Sequence, residues 1–163
     1  MTAVQGAWTL RAAGPDDREA LFRIYASTRT EELSQTGWSD DIKARVLGMQ
    51  FEAQDRYYRE VYPAATFDVV EVSGEPAGRL YLHRGSDEIR IIDIALLPEF
   101  RGRGLGSSLL RSVLDEADSA GRPVTIHVEQ HNPALRLYER LGFQVRDNRG
   151  LYYFLERPPA RTG

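Results

Sequence analysis

Apolar and polar positions alternate along this chain in strand-like and helix-like runs. Trp8-Thr9-Leu10-Arg11 has a period of two and predicts a first strand. Gly14-Pro15-Asp16-Asp17 then opens a helix, because proline suits a first turn and acids favour a helix N-terminus. Leu21, Ile24 and Tyr25 form its apolar stripe. Ser39-Asp40-Asp41 reads as a second helix start, with apolar residues at Ile42, Val46, Met49 and Phe51. Tyr57, Tyr58, Val61 and Tyr62 carry it to Pro63, which ends it.

Thr66 to Val72 reads as a strand, Ser73-Gly74-Glu75-Pro76 as a turn, and Ala77 to His83 as the hairpin partner. A turn at Gly85-Ser86-Asp87 leads into Ile91-Ile92-Asp93-Ile94-Ala95-Leu96-Leu97, a nearly unbroken apolar strand. The helix after it carries Leu105, Leu109, Leu110, Val113 and Leu114 on one side and ends near Gly121. Val124 to Val128 is a further strand. A whole helix separates it from the Ile91 strand, so the two should be parallel neighbours. Pro133 opens a short helix, Ala134 to Leu141, closed by Gly142. Phe143-Gln144-Val145 and Tyr152 to Leu155 bracket Asp147-Asn148-Arg149-Gly150, predicting a final hairpin, and Arg157 to Gly163 reads as a loose tail.

The Ile91 strand runs into Arg101-Gly102-Arg103-Gly104-Leu105-Gly106-Ser107. Such a turn places several backbone N–H groups at a helix N-terminus, where they can hold a phosphate. Each hydrogen bond to a charged oxygen contributes about 1.5–3 kcal/mol. The helix dipole adds only ~0.3–1 kcal/mol. Convergent amides therefore outweigh Arg101 or Arg103, which could act mainly as steering charges. The P-loop pattern is excluded, since Gly106-Ser107-Ser108 has no lysine, and the dinucleotide fingerprint fails because Ser107 stands where its third glycine belongs.

With 163 residues the chain is expected to form one domain, with a core over about 7–156. A net charge of −3 gives no basic footprint for nucleic acid. Zero cysteines exclude an acyl-cysteine route and any cysteine-ligated metal, and His83, His127 and His131 show no metal-binding pattern. Met1 to Gly6 lacks the basic start and apolar run of a signal peptide, and no segment reaches the ~20 apolar residues of a membrane span. The expected location is the cytoplasm, with no membrane partner.

The glycine turn resembles the Arg/Gln-x-x-Gly-x-Gly/Ala signature of the GNAT family of N-acetyltransferases, met here by Arg101, Gly104 and Gly106. Asn132-Pro133-Ala134-Leu135-Arg136-Leu137-Tyr138 through Gly142-Phe143 resembles that family's second segment, Asn…Ala…Leu-Tyr…Gly-Phe. The element order also matches, so the likeness spans essentially the whole chain. It implies an α+β fold: a mostly antiparallel twisted sheet with a splayed parallel strand pair, flanked by about four helices. It further implies transfer of acetyl from acetyl-CoA directly to an amine of a small molecule or peptide, and it allows a homodimer. A CoA-binding sensor or interaction module without catalysis is the alternative.

By that resemblance, the backbone of Ile94, Ala95 and Leu96 pairs with the pantetheine arm. Arg101, Gly102, Arg103, Gly104, Leu105, Gly106 and Ser107 surround the pyrophosphate, and Asn132 reaches the cofactor from the other strand. Many members place this Asn one residue further from the Tyr, where this chain has His131, so either residue could fill the role. Tyr138 stands at the position of the acid that protonates the leaving sulfur. A phenol of pKa near ~10 suits a thiolate of similar basicity. For the base, Asp93 interrupts an apolar run where burial favours proton uptake. Glu129 and His127, two apart on one strand face, are rivals, and Glu88, Tyr57 and Tyr58 stay open. Trp38, Tyr57, Tyr58, Tyr152 and Tyr153 with Glu31, Glu32, Asp40 and Asp41 would suit a cationic amine. The same residues also suit a solvated helix face over an aromatic core.

Overall fold

The computed structural model describes residues 8–160. Its strands are β1 (Trp8–Ala12), β2 (Thr66–Val72), β3 (Glu75–Arg84), β4 (Ile89–Leu96), β5 (Val124–Glu129), β6 (Gln144–Arg149) and β7 (Tyr152–Arg157). The helices are α1 (Arg18–Ser27), α2 (Thr30–Ser34), α3 (Asp40–Val61), α4 (Leu105–Ala120) and α5 (Leu135–Arg140). All seven strands form one sheet in the order β1-β2-β3-β4-β5-β7-β6. Every neighbouring pair is antiparallel except β4 and β5. The sequence predicted about four helices; the fifth, α2, has five residues and no apolar period of its own.

The main core lies on the face covered by α4 and α5. There Leu105, Leu109, Leu110, Val113 and Leu114 meet Leu80, Ile91, Ile126 and Leu155. A smaller core on the opposite face joins Leu21, Ile24 and Tyr25 of α1 to Phe51 of α3 and to Val69 and Leu97.

Ser39 caps α3 by accepting from the Ile42 amide at 3.3 Å, so the predicted start is the true one. The apolar stripe of α3 is a different matter. Ile42 and Met49 face solvent, at 48% and 72% exposed, and only Phe51 is buried. The line that meets the sheet includes Gln54 and Tyr58, whose polar ends bind buried charges. A helix face that buries polar groups carries no apolar period to read.

Three backbone features shape the middle of the sheet. The β3–β4 register shifts between Tyr81 and Leu82, which leaves Ile92 as an extra residue in β4. Such a bulge bends its strand and strengthens the local twist. Gly78 lets β3 and β4 approach closely: a Cβ there would lie 2.2 Å from the Ala95 carbonyl oxygen. Finally, β4 and β5 pair over only three rungs, Ile89–Val124, Arg90–Thr125 and Ile91–Ile126, and then part.

Two details at the C-terminal end differ from the sequence reading. Asp147, Asn148 and Arg149, predicted in the hairpin turn, belong to β6, and the turn falls at Gly150 (φ +79°). As an edge strand, exposed throughout, β6 carries charge in place of apolar alternation. Arg157, assigned to the tail, is the last residue of β7, paired with Val124 and ion-paired to Asp118 of α4. The Ala160 amide also donates to Asp118, at 2.8 Å. The expectations for Met1 to Gly6 and for 161–163 fall outside the described residues.

Candidate active site

The fork between β4 and β5 organises the site. Leu97 donates to the Ala77 carbonyl at 2.8 Å, so Leu97 and, two residues back, Ala95 turn their main-chain groups toward β3. By alternation Ile94 and Leu96 present theirs to the gap. Of the three residues expected to offer backbone there, Ile94 and Leu96 are placed to do so, and Ala95 is committed to Arg79 of β3. Arg101 Nε already donates to the Leu96 carbonyl at 2.9 Å.

Beyond β4, Gly102 (φ +75°) and Gly104 (φ +78°) turn the chain through the left-handed region that favours glycine. Among the described residues, no amide from Gly102 to Ser107 donates to a backbone carbonyl. The first helical bond of α4 runs from Ser108 to Gly104, at 3.0 Å. Six successive donors are thus left for an outside acceptor. The Arg101 guanidinium turns away from them toward Leu96 and toward Ser27 Oγ at 3.4 Å, and the Arg103 guanidinium lies 5.5 Å from the centre of the Phe100 ring. The open donors of this turn are main-chain amides.

Across the gap, Asn132 Oδ1 accepts from the Ala134 amide at 2.8 Å and holds the turn into α5. Its Nδ2 has no partner among the described residues, and neighbouring His131 is exposed. Tyr138 of α5 is buried, packed edge-on against Phe143 at 5.5 Å. Its hydroxyl has no hydrogen-bond partner among the described residues. Burial, then the nearby Asp93 charge, raises its pKa well above that of an ordinary phenol. The proton stays on Tyr138.

Asp93 is paired with side chains that sequence reading did not foresee. Arg79, only 3% exposed, donates through Nε (3.2 Å) and Nη2 (2.9 Å), and Tyr58 Oη donates at 3.0 Å. Arg79 also donates to Gln54 Oε1 at 2.9 Å and lies over the Tyr25 and Tyr81 rings. Both Asp93 oxygens are therefore engaged. Arg79 itself gave no signal, because a lone arginine in an apolar strand shows no partner in sequence.

On β5, Glu129 accepts from Arg29 at 3.2 Å, and His127 Nε2 lies 2.8 Å from Arg149 Nη1. The aromatic and acidic residues grouped as an amine pocket are dispersed. Tyr153 packs on the main core, Tyr58 near the end of α3 donates to Asp93, and Asp40 and Asp41 occupy the first turn of α3.

A strand fork, a run of open amides and a buried phenol are thus the features of this end of the sheet. Residues 19–143 match the sequence model of the acetyltransferase (GNAT) family, and the chain belongs to that family. It is 40% identical over 148 residues to the [ribosomal protein bS18]-alanine N-acetyltransferase of Salmonella typhimurium, covering 89% of this chain and 86% of that one. It is 29% identical to a Mycobacterium mycothiol acetyltransferase over 89% of this chain and 48% of that one. Among solved structures it resembles PaiA N-acetyltransferase from Thermoplasma acidophilum in complex with coenzyme A. That likeness has a TM-score of 0.71 and 16% identity, over 93% of this chain and 99% of that one. The protein is thus an acetyl-CoA-dependent acetyltransferase, and catalysis, not the non-catalytic alternative, is its function. Among the described residues no helix is long and apolar enough to cross a membrane.

Proposed function

We propose that the protein transfers acetyl to the α-amino group of a protein N-terminus, with an N-terminal alanine as the first candidate. The observation that carries this reading is the match, over most of both chains, to a relative named for acetylating the alanine of a ribosomal protein. The site agrees with it. Past the fork, His127, Glu129 and Tyr152 are exposed on the strands, a surface suited to an extended chain end.

When bound, acetyl-CoA supplies an acetyl group activated as a thioester. The amides from Gly102 to Ser107 would hold its diphosphate. Ile94 and Leu96 would hold the arm through their gap-facing main-chain groups, with Asn132 Nδ2 as a further donor. Tyr138 keeps a proton at Oη and gives it to the leaving sulfur. Asp93 acts as a positioning residue, fixing Arg79 and Tyr58 so that α3 sits firmly on β4.

The test is an amine panel read by thiol release, with mass spectrometry locating the acetyl group. It compares a peptide beginning with alanine, the same peptide with a blocked N-terminus and an internal lysine, a polyamine and free amino acids. Acetylation of the free α-amine is the expected result. Turnover of only the lysine or the small amines overturns the reading.

A further inference from the structure

We propose that His127 is the proton acceptor for the incoming ammonium and that Arg149 masks it until the acceptor arrives. The proposal rests on the acetyl-transfer reading above, though not on which amine is used. The last β4–β5 rung is Ile91–Ile126, so His127 is the first β5 residue past the fork. Val124, Ile126 and Val128 point into the core under α4. Alternation puts Thr125, His127 and Glu129 on the opposite face, where Arg90 of β4 donates to Thr125 Oγ1 at 3.1 Å. Asp93 and Tyr58 lie on that same face.

The groups facing the imidazole are Arg149 of β6, Arg90 of β4, Glu88 just before β4, and the Phe154 ring of β7, 5.1 Å away. An arginine only donates, so the Nε2 near Arg149 is the acceptor and the ring proton sits on Nδ1. Partial desolvation of the ring against its neighbours, with Arg90 and Arg149, holds the imidazole pKa below its ordinary value, against the opposing effect of Glu88. The ring is therefore neutral at neutral pH, with one lone pair covered by an arginine.

That cover is easily displaced. The Arg149 side chain is about half exposed, sits beside the Gly150 turn, is shared with Asp147 at 2.9 Å and lies over the Phe154 ring at 4.5 Å. Exposed polar contacts of this kind hold a side chain only weakly. The rivals are engaged as well. Asp93 already accepts three hydrogen bonds, and Glu129 is paired with Arg29, whose guanidinium lies over Tyr25. In the step itself, His127 takes one proton from the ammonium at Nε2. This leaves a neutral amine with its lone pair and an imidazolium that returns the proton to solvent after turnover.

The experiment uses the full chain as wild type, His127→Ala, His127→Gln and Arg149→Ala. Nitrogen NMR of the ring gives its tautomer and pKa. The pH profile of kcat/KM is taken with saturating acetyl-CoA and an amine that the wild type acetylates. Both His127 variants should lose about 10²-fold or more in kcat/KM, with KM for acetyl-CoA unchanged. Arg149→Ala should raise the ring pKa and carry the acidic limb upward with it. The ionisation of the acceptor is common to all variants and cannot produce that joint movement. His127 variants that stay close to wild type, or a ring pKa that moves while the limb stays, overturn the proposal. Failure of the N-terminal reading shows separately, as wild-type turnover of small amines without the peptide, and the His127 comparison then uses that amine.

Discussion

Asp93→Asn should destabilise the protein far more than an ordinary polar substitution. Its partner Arg79 is 3% exposed and keeps its charge, and an asparagine amide would point a donor at Arg79 in either orientation. Breaking a buried ion pair by removing one member costs about 3–5 kcal/mol. Two features place this case near the lower end: Asp93 retains 16% side-chain exposure, and Gln54 still accepts from Arg79. A loss of about 3 kcal/mol is a large part of the ~5–15 kcal/mol that holds a domain of this kind folded. Tyr58→Phe removes a single hydrogen bond to a charged group and should cost less, about 1.5–3 kcal/mol. Removing both charges with Arg79→Met and Asp93→Asn together should cost clearly less than the sum of the single changes. Urea titrations with a constant slope measure all of these. A loss below about 1 kcal/mol for Asp93→Asn, or strict additivity of the pair, refutes the account of a buried, mutually dependent network. The same variant should keep the acidic limb of its pH–rate profile; disappearance of that limb would make Asp93 the base.

Gly78→Ala forces a Cβ to within 2.2 Å of the Ala95 oxygen and 2.8 Å of Leu96 Cδ2. It should cost about 1–3 kcal/mol and raise KM for acetyl-CoA by displacing β4 at the gap, as thermal melts and initial rates would show. Tyr138→Phe should lower kcat by about 10²-fold or more while leaving KM for acetyl-CoA in place; unchanged kcat assigns Tyr138 to packing. Asp17 is lowered from 3.8 to about 2 by hydrogen bonds from Arg11 and the Gly14 amide. A depressed carboxylate pKa contributes stability above its unfolded value and loses it as pH falls through its folded one. Asp17→Asn should therefore destabilise above pH 3.8, with the difference from wild type vanishing toward pH 2 in acid-denaturation curves.

Much of the fold was legible because most of its elements bury apolar residues at one period. The α4 helix shows the pattern at its clearest, with Leu105 to Leu114 on one side, glycines at both ends and every predicted stripe residue buried. The open amides of the glycine turn were legible for a related reason: a glycine turn after an apolar strand leaves amides without acceptors. Sequence reading failed where burial and polarity coincide. Gln54 and Tyr58 on α3, Arg79 on β3 and Asp93 on β4 come from three separate stretches of the chain, and each alone reads as surface or as an interruption. The edge strand β6 failed for the opposite reason, since an exposed strand of charged residues resembles a loop. The side on which a main-chain group points, which separates Ala95 from Ile94 and Leu96, depends on register, and composition does not encode register.

The three rungs between β4 and β5 are the narrowest seam in the sheet, with four strands on one side and three on the other. A molecule lodged in the fork touches both halves and restores contacts that the seam lacks. Heat resistance should therefore rise with donor concentration, by about 2.7 kcal/mol at a hundredfold excess over Kd. The same seam is the line along which slow hydrogen exchange would first reveal the empty protein opening.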